Sequence, residues 1–172
     1  QVRGEASRTL EGGCTAYALT GEATENGRPL CGQNQDLQPE YSDVAIVLKV
    51  RPNDGRPRAV MFTFAGQIGY SGMNEHGVAH FANQLYNFDW RPALPHYVLK
   101  RLALQQRNVE ECIQVYVQNR ACSAGNIILC DSGSVADVEV RPEGLAVFDD
   151  DDPDQRLHTN HYLTEEFTGF DE

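Results

Sequence analysis

The chain has 172 residues, which is enough for one domain with a hydrophobic core. Its hydrophobic content of 41% and charged content of 23% are ordinary for a globular protein. The formal net charge of −11 argues against nucleic acid or an anionic membrane as a partner, because binding to phosphates needs a basic surface.

The N-terminal half of the chain is predicted to form antiparallel strands. Residues 1–13 are polar and contain glycine, and they are predicted to be an extended tail before a domain that spans residues 14–172. Beyond the tail, apolar and β-branched residues are separated by turn signals at residues 25–27 and 52–55. The predicted strands of this half are residues 14–20, 43–51, 58–65, 68–71 and 78–83.

The middle of the chain changes to a helical pattern. Apolar side chains recur at nearly helical spacing between Pro95 and Leu104. A second helix is predicted after Asn108, which can act as an N-cap with Glu111 at the capping-box position. Further strands are predicted at residues 125–131, 135–141 and 145–148. Hairpins that are segregated from two helices in this way predict an α+β layered domain.

Neither the acidic residues nor the cysteines indicate a metal centre. The acidic run at residues 149–152 lacks the spacing of an EF-hand and is predicted to be a solvated loop. The five cysteines include no Cys-x-x-Cys pair, which argues against zinc or iron–sulfur ligation. Free thiols favour a reducing compartment, the cytoplasm. No stretch reaches the about 18 apolar residues of a membrane span.

The chain contains a Gly13-Cys14-Thr15 step, followed by Gly-Gln-Asn-Gln-Asp at residues 32–36. Together these look like the start of an N-terminal-nucleophile hydrolase, a resemblance that implies self-cleavage at the Gly13–Cys14 bond. Gly13 leaves the carbonyl group before Cys14 sterically open. Attack by the thiol on that carbonyl would give a thioester by an N-to-S acyl shift, and hydrolysis would then release residues 1–13. The freed α-amine of Cys14, with a pKa of about 7.7–8.0, could serve as the base for the thiol.

Four motifs follow one another along the chain, at residues 13–17 (Gly-Cys-Thr-Ala-Tyr), 32–36 (Gly-Gln-Asn-Gln-Asp), 69–79 with Asn83 after it, and 158–161 (His-Thr-Asn-His). With these motifs the chain resembles the acyl-coenzyme A:isopenicillin N acyltransferase family, peptidase family C45, of the N-terminal-nucleophile hydrolases. The resemblance implies a four-layer αββα sandwich. Family members continue well beyond the last motif, so it also implies a domain that is incomplete at the C-terminus. Either a second chain of the same precursor completes this domain, or the remainder is not resolved, or the chain is a fragment.

The resemblance also implies roles for three residues of the site. Cys14 matches the nucleophile of the family, and Asp36 matches the aspartate that positions this nucleophile and its α-amine. Asn160 matches the asparagine that donates to the oxyanion of the tetrahedral intermediate. The alternative for Cys14 is a buried cysteine of the core, and that for Asp36 is an aspartate in a turn after a strand. The alternative for Asn160 is an asparagine whose side chain hydrogen-bonds to the backbone of a loop.

Three further positions carry weaker expectations from the same resemblance. Asn83 is a second oxyanion candidate, with a strand-end cap as the alternative. Thr15 matches a small hydroxyl position that assists self-cleavage. Tyr17 is expected to bind substrate, or to lie in the core. Gln35 departs from the family, which often has an aromatic residue at this position.

The resemblance therefore implies an autoprocessing enzyme that cleaves or transfers the acyl group of N-acyl amides, or of acyl thioesters, through a thioacyl-enzyme. Hydrolysis and transfer share this intermediate, so the sequence does not choose between them, and neither needs a cofactor or a metal. One alternative is a non-catalytic family member or precursor fragment that acts as a binding or assembly module. Another is a cysteine hydrolase in which Cys14 pairs with a histidine, the candidates being His80, His96, His158 and His161.

Overall fold

Two antiparallel sheets form the molecule, and the computed structural model describes residues 13–85, 90–149 and 151–170. The smaller sheet has three strands, β1 (Cys14–Gly21), β2 (Gly27–Gln35) and β10 (Gln155–His158), in the order β10-β1-β2. Strand β1 is therefore central, and Cys14 is its first residue.

The larger sheet has seven strands that follow chain order from β3 to β9. These strands are β3 (Ala45–Val50), β4 (Ala59–Phe64), β5 (Ser71–Asn74), β6 (Ala79–Asn83), β7 (Gly125–Cys130), β8 (Val135–Arg141) and β9 (Gly144–Phe148). Two helices, α1 (His96–Ala103) and α2 (Val109–Gln118), connect β6 to β7. Short 3₁₀ helices span Pro39–Val44 and Thr168–Phe170.

The local signals in the sequence explain several of these elements. The predicted hairpin is confirmed, since β3 pairs with β4 and the turn contains Gly55 at a φ of 87°. Both predicted helices are also confirmed. The Asn108 side chain caps α2 by accepting from the Glu111 N–H at 2.8 Å, while the Glu111 carboxylate accepts from the Arg107 N–H at 2.8 Å.

Strand β7 lies at the centre of the layered core, and all six of its residues are buried. Ile127 and Leu129 pack in the core cluster that α1 and α2 form with the larger sheet. Ile128 and Cys130 point to the opposite face, where they pack against Ala16 of the smaller sheet. The order of layers is therefore helices, large sheet, small sheet.

The expected α+β class with two packed sheets is thus confirmed, and three of the four layers lie within the described residues. Two strands of the smaller sheet, β2 and β10, were not predicted from the sequence. Strand β2 contains Pro29 and Gly32 and ends in three polar residues, so it lacks the apolar alternation that indicates a strand. The predicted strand at residues 68–71 lies later in the chain, as β5.

No helix among the described residues is long and apolar enough to cross a bilayer.

Candidate active site

One end of the two sheets gathers the residues that the sequence singled out. Cys14 begins β1 and lies opposite Gln35, so Asp36 follows directly beside it. Asn83 ends β6, and Asn160 stands two residues after β10. All of these residues line one cleft with a volume of about 640 Å³, which is within the usual range for a small-molecule site.

Cys14 is held at the wall of this cleft and is half-buried. Its backbone N–H donates to Asn160 Oδ1 at 2.6 Å, and Asn160 Nδ2 donates to the Gln84 carbonyl at 2.7 Å. Burial raises the pKa of the Cys14 thiol, and the nearby carboxylate of Asp36 adds to this. Hydrogen bonds with Gln84 and Asn160, and the charge of Lys100, oppose the rise without cancelling it. The thiol therefore needs a base to react at neutral pH.

The peptide bond between Gly13 and Cys14 lies between a carboxylate and a carboxamide. The Gly13 carbonyl accepts from the Asp36 N–H at 2.7 Å. A Cβ atom on Gly13 would lie 3.4 Å from Asn160 Oδ1 and 3.5 Å from Asp36 Oδ2. Since a hydrogen bond to the carbonyl oxygen polarises the C=O bond, this arrangement suits attack at the Gly13 carbonyl carbon.

Asn83 lies in the same wall, but its side chain is fully engaged. Its Nδ2 donates to Asn126 Oδ1 at 3.0 Å and to the His158 carbonyl at 2.9 Å, while its Oδ1 accepts from Gln33 Nε2 at 3.2 Å. Both amide hydrogens are therefore used within the protein. In this arrangement Asn83 joins β6 to β7 and to the segment after β10, and its side chain has no hydrogen left for an oxyanion.

Tyr17 and Thr15 are not among the residues that line the cleft. Side chains alternate along β1, so Ala16 shares the buried face of Cys14 while Thr15 and Tyr17 point to the other face. A Cβ atom on Gly32 would lie 2.9 Å from the Tyr17 hydroxyl. The Tyr17 ring thus covers Gly32 on the outer face of the smaller sheet.

A lysine that was not predicted from the sequence also lines the cleft. Lys100 lies on α1 and is only 6% exposed, and burial lowers its pKa to about 8. Its Nζ lies 4.2 Å from the centroid of the Tyr70 ring. Gln35, the departure from the family pattern, donates through Nε2 to the Tyr70 hydroxyl. The available signal was a lysine three residues after Tyr97, on the apolar face of a predicted helix.

Two histidines near the cleft are buried and neutral. Burial lowers the pKa of His80 to about 3 and that of His96 to about 4. His80 Nε2 lies 2.9 Å from the Tyr116 hydroxyl, and His96 Nε2 lies 2.8 Å from the Ser123 carbonyl.

His158 and His161 are also engaged elsewhere. His158 Nε2 lies 2.9 Å from Glu139 Oε1, with both side chains fully buried, and His161 Nδ1 lies 2.8 Å from the Thr159 hydroxyl. Within the part of the chain that the structure describes, no histidine hydrogen-bonds to the Cys14 thiol, so the geometry offers no Cys–His pair. The same residues contain no group of three or more His, Cys, Asp or Glu side chains that could hold a metal ion.

The sequence model of the acyl-coenzyme A:6-aminopenicillanic acid acyltransferase family matches residues 23–170, a range that includes Asp36, Asn83 and Asn160 but begins after Cys14. No curated protein matches the chain in sequence.

Among solved structures, the chain is similar to the Caenorhabditis elegans ortholog of N-acylethanolamine-hydrolyzing acid amidase. The identity is 15% and the TM-score is 0.67, over 86% of this chain and 70% of that one. It is also similar to penicillin V acylase from Agrobacterium tumefaciens, at 16% identity and a TM-score of 0.53, over 78% of this chain and 49% of that one. The chain thus spans about half the length of the acylase. These likenesses confirm the N-terminal-nucleophile hydrolase type of fold.

Proposed function

Because the chain belongs to the acyl-coenzyme A:6-aminopenicillanic acid acyltransferase family, we propose that it is a self-cleaving N-terminal-cysteine enzyme. The reaction is cleavage or transfer of the acyl group of N-acyl amides through a thioacyl-enzyme. One observation carries this proposal: Cys14, Asp36 and Asn160 meet around the Gly13–Cys14 peptide bond at the wall of a cleft. The names of the two similar structures, an N-acylethanolamine-hydrolyzing amidase and a penicillin acylase, agree with an amide substrate.

Self-cleavage is the first stage of the proposed mechanism. The Cys14 sulfur attacks the Gly13 carbonyl carbon, and the oxygen that becomes negative is the one that already accepts from the Asp36 N–H at 2.7 Å. The C–N bond then breaks, the Cys14 amine leaves with a proton, and a thioester joins Gly13 to the sulfur. Water hydrolyses this thioester, which releases residues 1–13 with a new carboxylate and regenerates the thiol.

Catalysis on a substrate follows with the freed α-amine. The amine takes the thiol proton, the sulfur attacks the acyl carbon, and the amine half of the substrate leaves with that proton. Asn160 Oδ1, which accepts from the Cys14 nitrogen at 2.6 Å, keeps the α-amine in place. The second hydrogen of Asn160 Nδ2 donates to the oxyanion, and the Asp36 carboxylate favours the charged form of the amine. Water or an acceptor amine then removes the acyl group.

Aromatic side chains line the part of the cleft that would hold the substrate. The rings of Tyr70 and Tyr97 are stacked with their centroids 6.0 Å apart, and Tyr41 and Trp90 line the same cleft. Because aromatic rings bury a large apolar area, this wall suits the hydrocarbon or aromatic part of an acyl group.

A second chain of the same precursor is proposed to complete the domain. One face of strands β3, β4 and β5 in the larger sheet carries exposed apolar side chains. The exposed fractions are 66% for Val47, 48% for Val60, 42% for Phe62 and 49% for Met73. These residues are neighbours across β3, β4 and β5. A contiguous apolar sheet face is a typical protein-binding surface.

All five cysteines are free thiols, which supports a reducing compartment such as the cytoplasm.

Trapping of the acyl-enzyme tests the proposed reaction. Protein is incubated with N-acylethanolamines and phenoxyacetyl amides, and amine release is measured together with the intact mass of the chain. The expected result is a thioacyl adduct that hydroxylamine removes as the hydroxamate, in wild type and in Cys122→Ala but not in Cys14→Ala. Cys122→Ala is the matched control because its thiol lines the same cleft. Amine release that persists in Cys14→Ala contradicts the mechanism, and no turnover of any amide favours the binding module.

A further inference from the structure

Lys100 is a buried cation that the proposed mechanism does not use. Its ammonium lies beside two aromatic rings, 4.2 Å from the centroid of Tyr70 and 5.7 Å from that of Tyr97. Among the described residues, no hydrogen bond or ion pair holds it. A charge that is removed from water without a partner is costly, and a lysine kept in this position is therefore a candidate for a functional role.

The surroundings of Lys100 leave an anion as the missing partner. His80 and His96 contribute no charge near neutral pH, because burial lowers the pKa of each of them. Burial raises the pKa of the Tyr70 hydroxyl to about 12, so this group is also neutral. The Cys14 thiol interacts with Lys100 across the cleft, but burial raises its pKa, so it is not a permanent counter-charge.

The cleft is also charged in a way that orients a substrate. The Asp36 carboxylate flanks Gly13 next to the nucleophile, whereas Lys100 lies by the aromatic wall, and both line the same cleft. Cation–π contacts with Tyr70 and Tyr97 hold the ammonium in position, and Gln35 fixes the Tyr70 hydroxyl by a hydrogen bond. The Lys100 ammonium is thus held in a fixed position, where it can bind a negatively charged group in the cleft.

We propose that Lys100 binds a carboxylate of the substrate, so that the preferred substrates are N-acyl amides with an anionic group near the scissile bond. The substrate class in this inference rests on the proposed amide chemistry. The binding of an anion by Lys100 does not depend on that chemistry. The carboxylate can belong to the amine half, as in an N-acyl amino acid, or to the acyl half, as in a dicarboxylic acid monoamide. Both present the same group to Lys100.

Alkylation of Cys14 tests the subsite without any need for turnover. Iodoacetate and iodoacetamide both react when the thiolate displaces iodide, and they differ in the carboxylate. The ratio of their rate constants at Cys14 is measured by peptide mass spectrometry and divided by the ratio for a synthetic peptide of residues 14–20. Any change in the thiol pKa cancels, because both reagents need the thiolate.

The expected normalised ratio is well above one in wild type and falls about tenfold in Lys100→Met, as the loss of one partly screened charge predicts. Lys100→Arg keeps most of the preference. Lys49→Met is the matched control, since Lys49 is exposed and is the other lysine of the chain. A ratio of one or below in wild type overturns the proposal even if Lys100→Met fails to fold. A ratio that Lys100→Met leaves unchanged also overturns it.

Paired substrates then identify the source of the carboxylate. The pairs are an N-acylglycine with its methyl ester, and a glutaryl anilide with its methyl ester. In one pair, kcat/KM of the acid should exceed that of the ester and should fall at least tenfold in Lys100→Met. Equal turnover of acid and ester, insensitive to Lys100, overturns the subsite but leaves the amide chemistry in place. Absence of turnover in both pairs counts against the amide chemistry, while the alkylation ratio still decides the subsite.

Discussion

Replacement of Glu139 by glutamine tests how the segment that carries Asn160 is anchored. Glu139 is fully buried on β8, and both of its carboxylate oxygens accept hydrogen bonds. Oε1 accepts from His158 Nε2 at 2.9 Å and from the Leu163 N–H at 2.5 Å. Oε2 accepts from the Thr164 N–H at 3.2 Å and from the Thr164 hydroxyl at 2.5 Å. One carboxylate therefore holds the chain on both sides of Asn160.

The cost of Glu139→Gln follows from these contacts. In Glu139→Gln, an NH₂ group replaces one of the two carboxylate oxygens. This NH₂ group then faces the backbone N–H of Leu163 if it replaces Oε1, or that of Thr164 if it replaces Oε2. Two donors are left without an acceptor at that end, and His158 loses its counter-charge. Breaking a buried ion pair on one side costs about 3–5 kcal/mol. We expect a loss of this size in the free energy of unfolding, which for a native domain is only about 5–15 kcal/mol.

The pH dependence of this loss has a defined sign. Burial is the largest single effect on both groups and disfavours their charged forms. The hydrogen bond with Glu139, the charge of Asp137 and the Thr159 carbonyl together outweigh it, so the pKa of His158 is raised. The hydrogen bonds from His158, Leu163 and Thr164 together outweigh it at Glu139, whose pKa is lowered. The His158 contribution is complete below its unfolded pKa of about 6.5 and is lost as pH rises through the raised folded value. The Glu139 contribution is present above about 4.3 and is lost as pH falls through the lowered folded value. The difference between wild type and variant is therefore largest between about pH 4.3 and 6.5.

Urea unfolding followed by far-UV circular dichroism at pH 5.5 measures this difference. Asp54→Asn is the matched carboxylate-to-carboxamide control, because Asp54 lies in the turn between β3 and β4 and pairs with Arg56 at 2.6 Å, with the two side chains 47% and 53% exposed. Half-exposed pairs of this kind contribute about 0–1 kcal/mol. A loss below about 1 kcal/mol in Glu139→Gln, or an equal loss in the control, would refute the reasoning.

Three other substitutions give separate tests. Asn160→Ala should lower kcat by about 10²–10³-fold with little change in KM, since it removes one oxyanion donor, and steady-state kinetics with unchanged kcat would contradict this. Gly72→Ala should lower the free energy of unfolding by about 1–3 kcal/mol, because its Cβ would lie 2.6 Å from a backbone carbon of β4. In the control Gly144→Ala, the new Cβ meets nothing within 4 Å, and chemical unfolding should show a change of less than about 0.5 kcal/mol. Asp36→Asn removes a charge that raises the pKa of the Cys14 thiol. The pH midpoint for alkylation of Cys14 by iodoacetamide should therefore fall, while amide turnover slows. An unchanged midpoint would argue against an electrostatic interaction between Asp36 and the Cys14 thiol.

Local patterns predicted the parts of the fold that short-range physics determines. The hairpin around Gly55 and the cap at Asn108 depend on neighbouring residues, so the sequence displays them directly. Strand β10 pairs with β1 from almost the other end of the chain, with Leu157 opposite Tyr17. It is short and largely polar, so no local pattern indicated it.

The same limit applies to the candidate site. The motifs predicted that Cys14, Asp36 and Asn160 belong together, and the structure places them around one peptide bond. The buried partner of His158 is a glutamate on β8, which no sequence spacing connects to it. Lys100 was overlooked because a lysine in a helix is ordinarily solvated, and only the packing of α1 shows that its ammonium is buried.

Intact mass measurement with N-terminal sequencing tests the central claim most directly. Wild type and Cys14→Ala are purified and incubated under the same conditions. Self-cleavage predicts a wild-type chain that begins at Cys14 and has lost the mass of residues 1–13, while Cys14→Ala stays whole. If both proteins remain uncut with Gly13 attached, or if both are cut at this bond, the claim that Cys14 releases itself as an N-terminal nucleophile is contradicted.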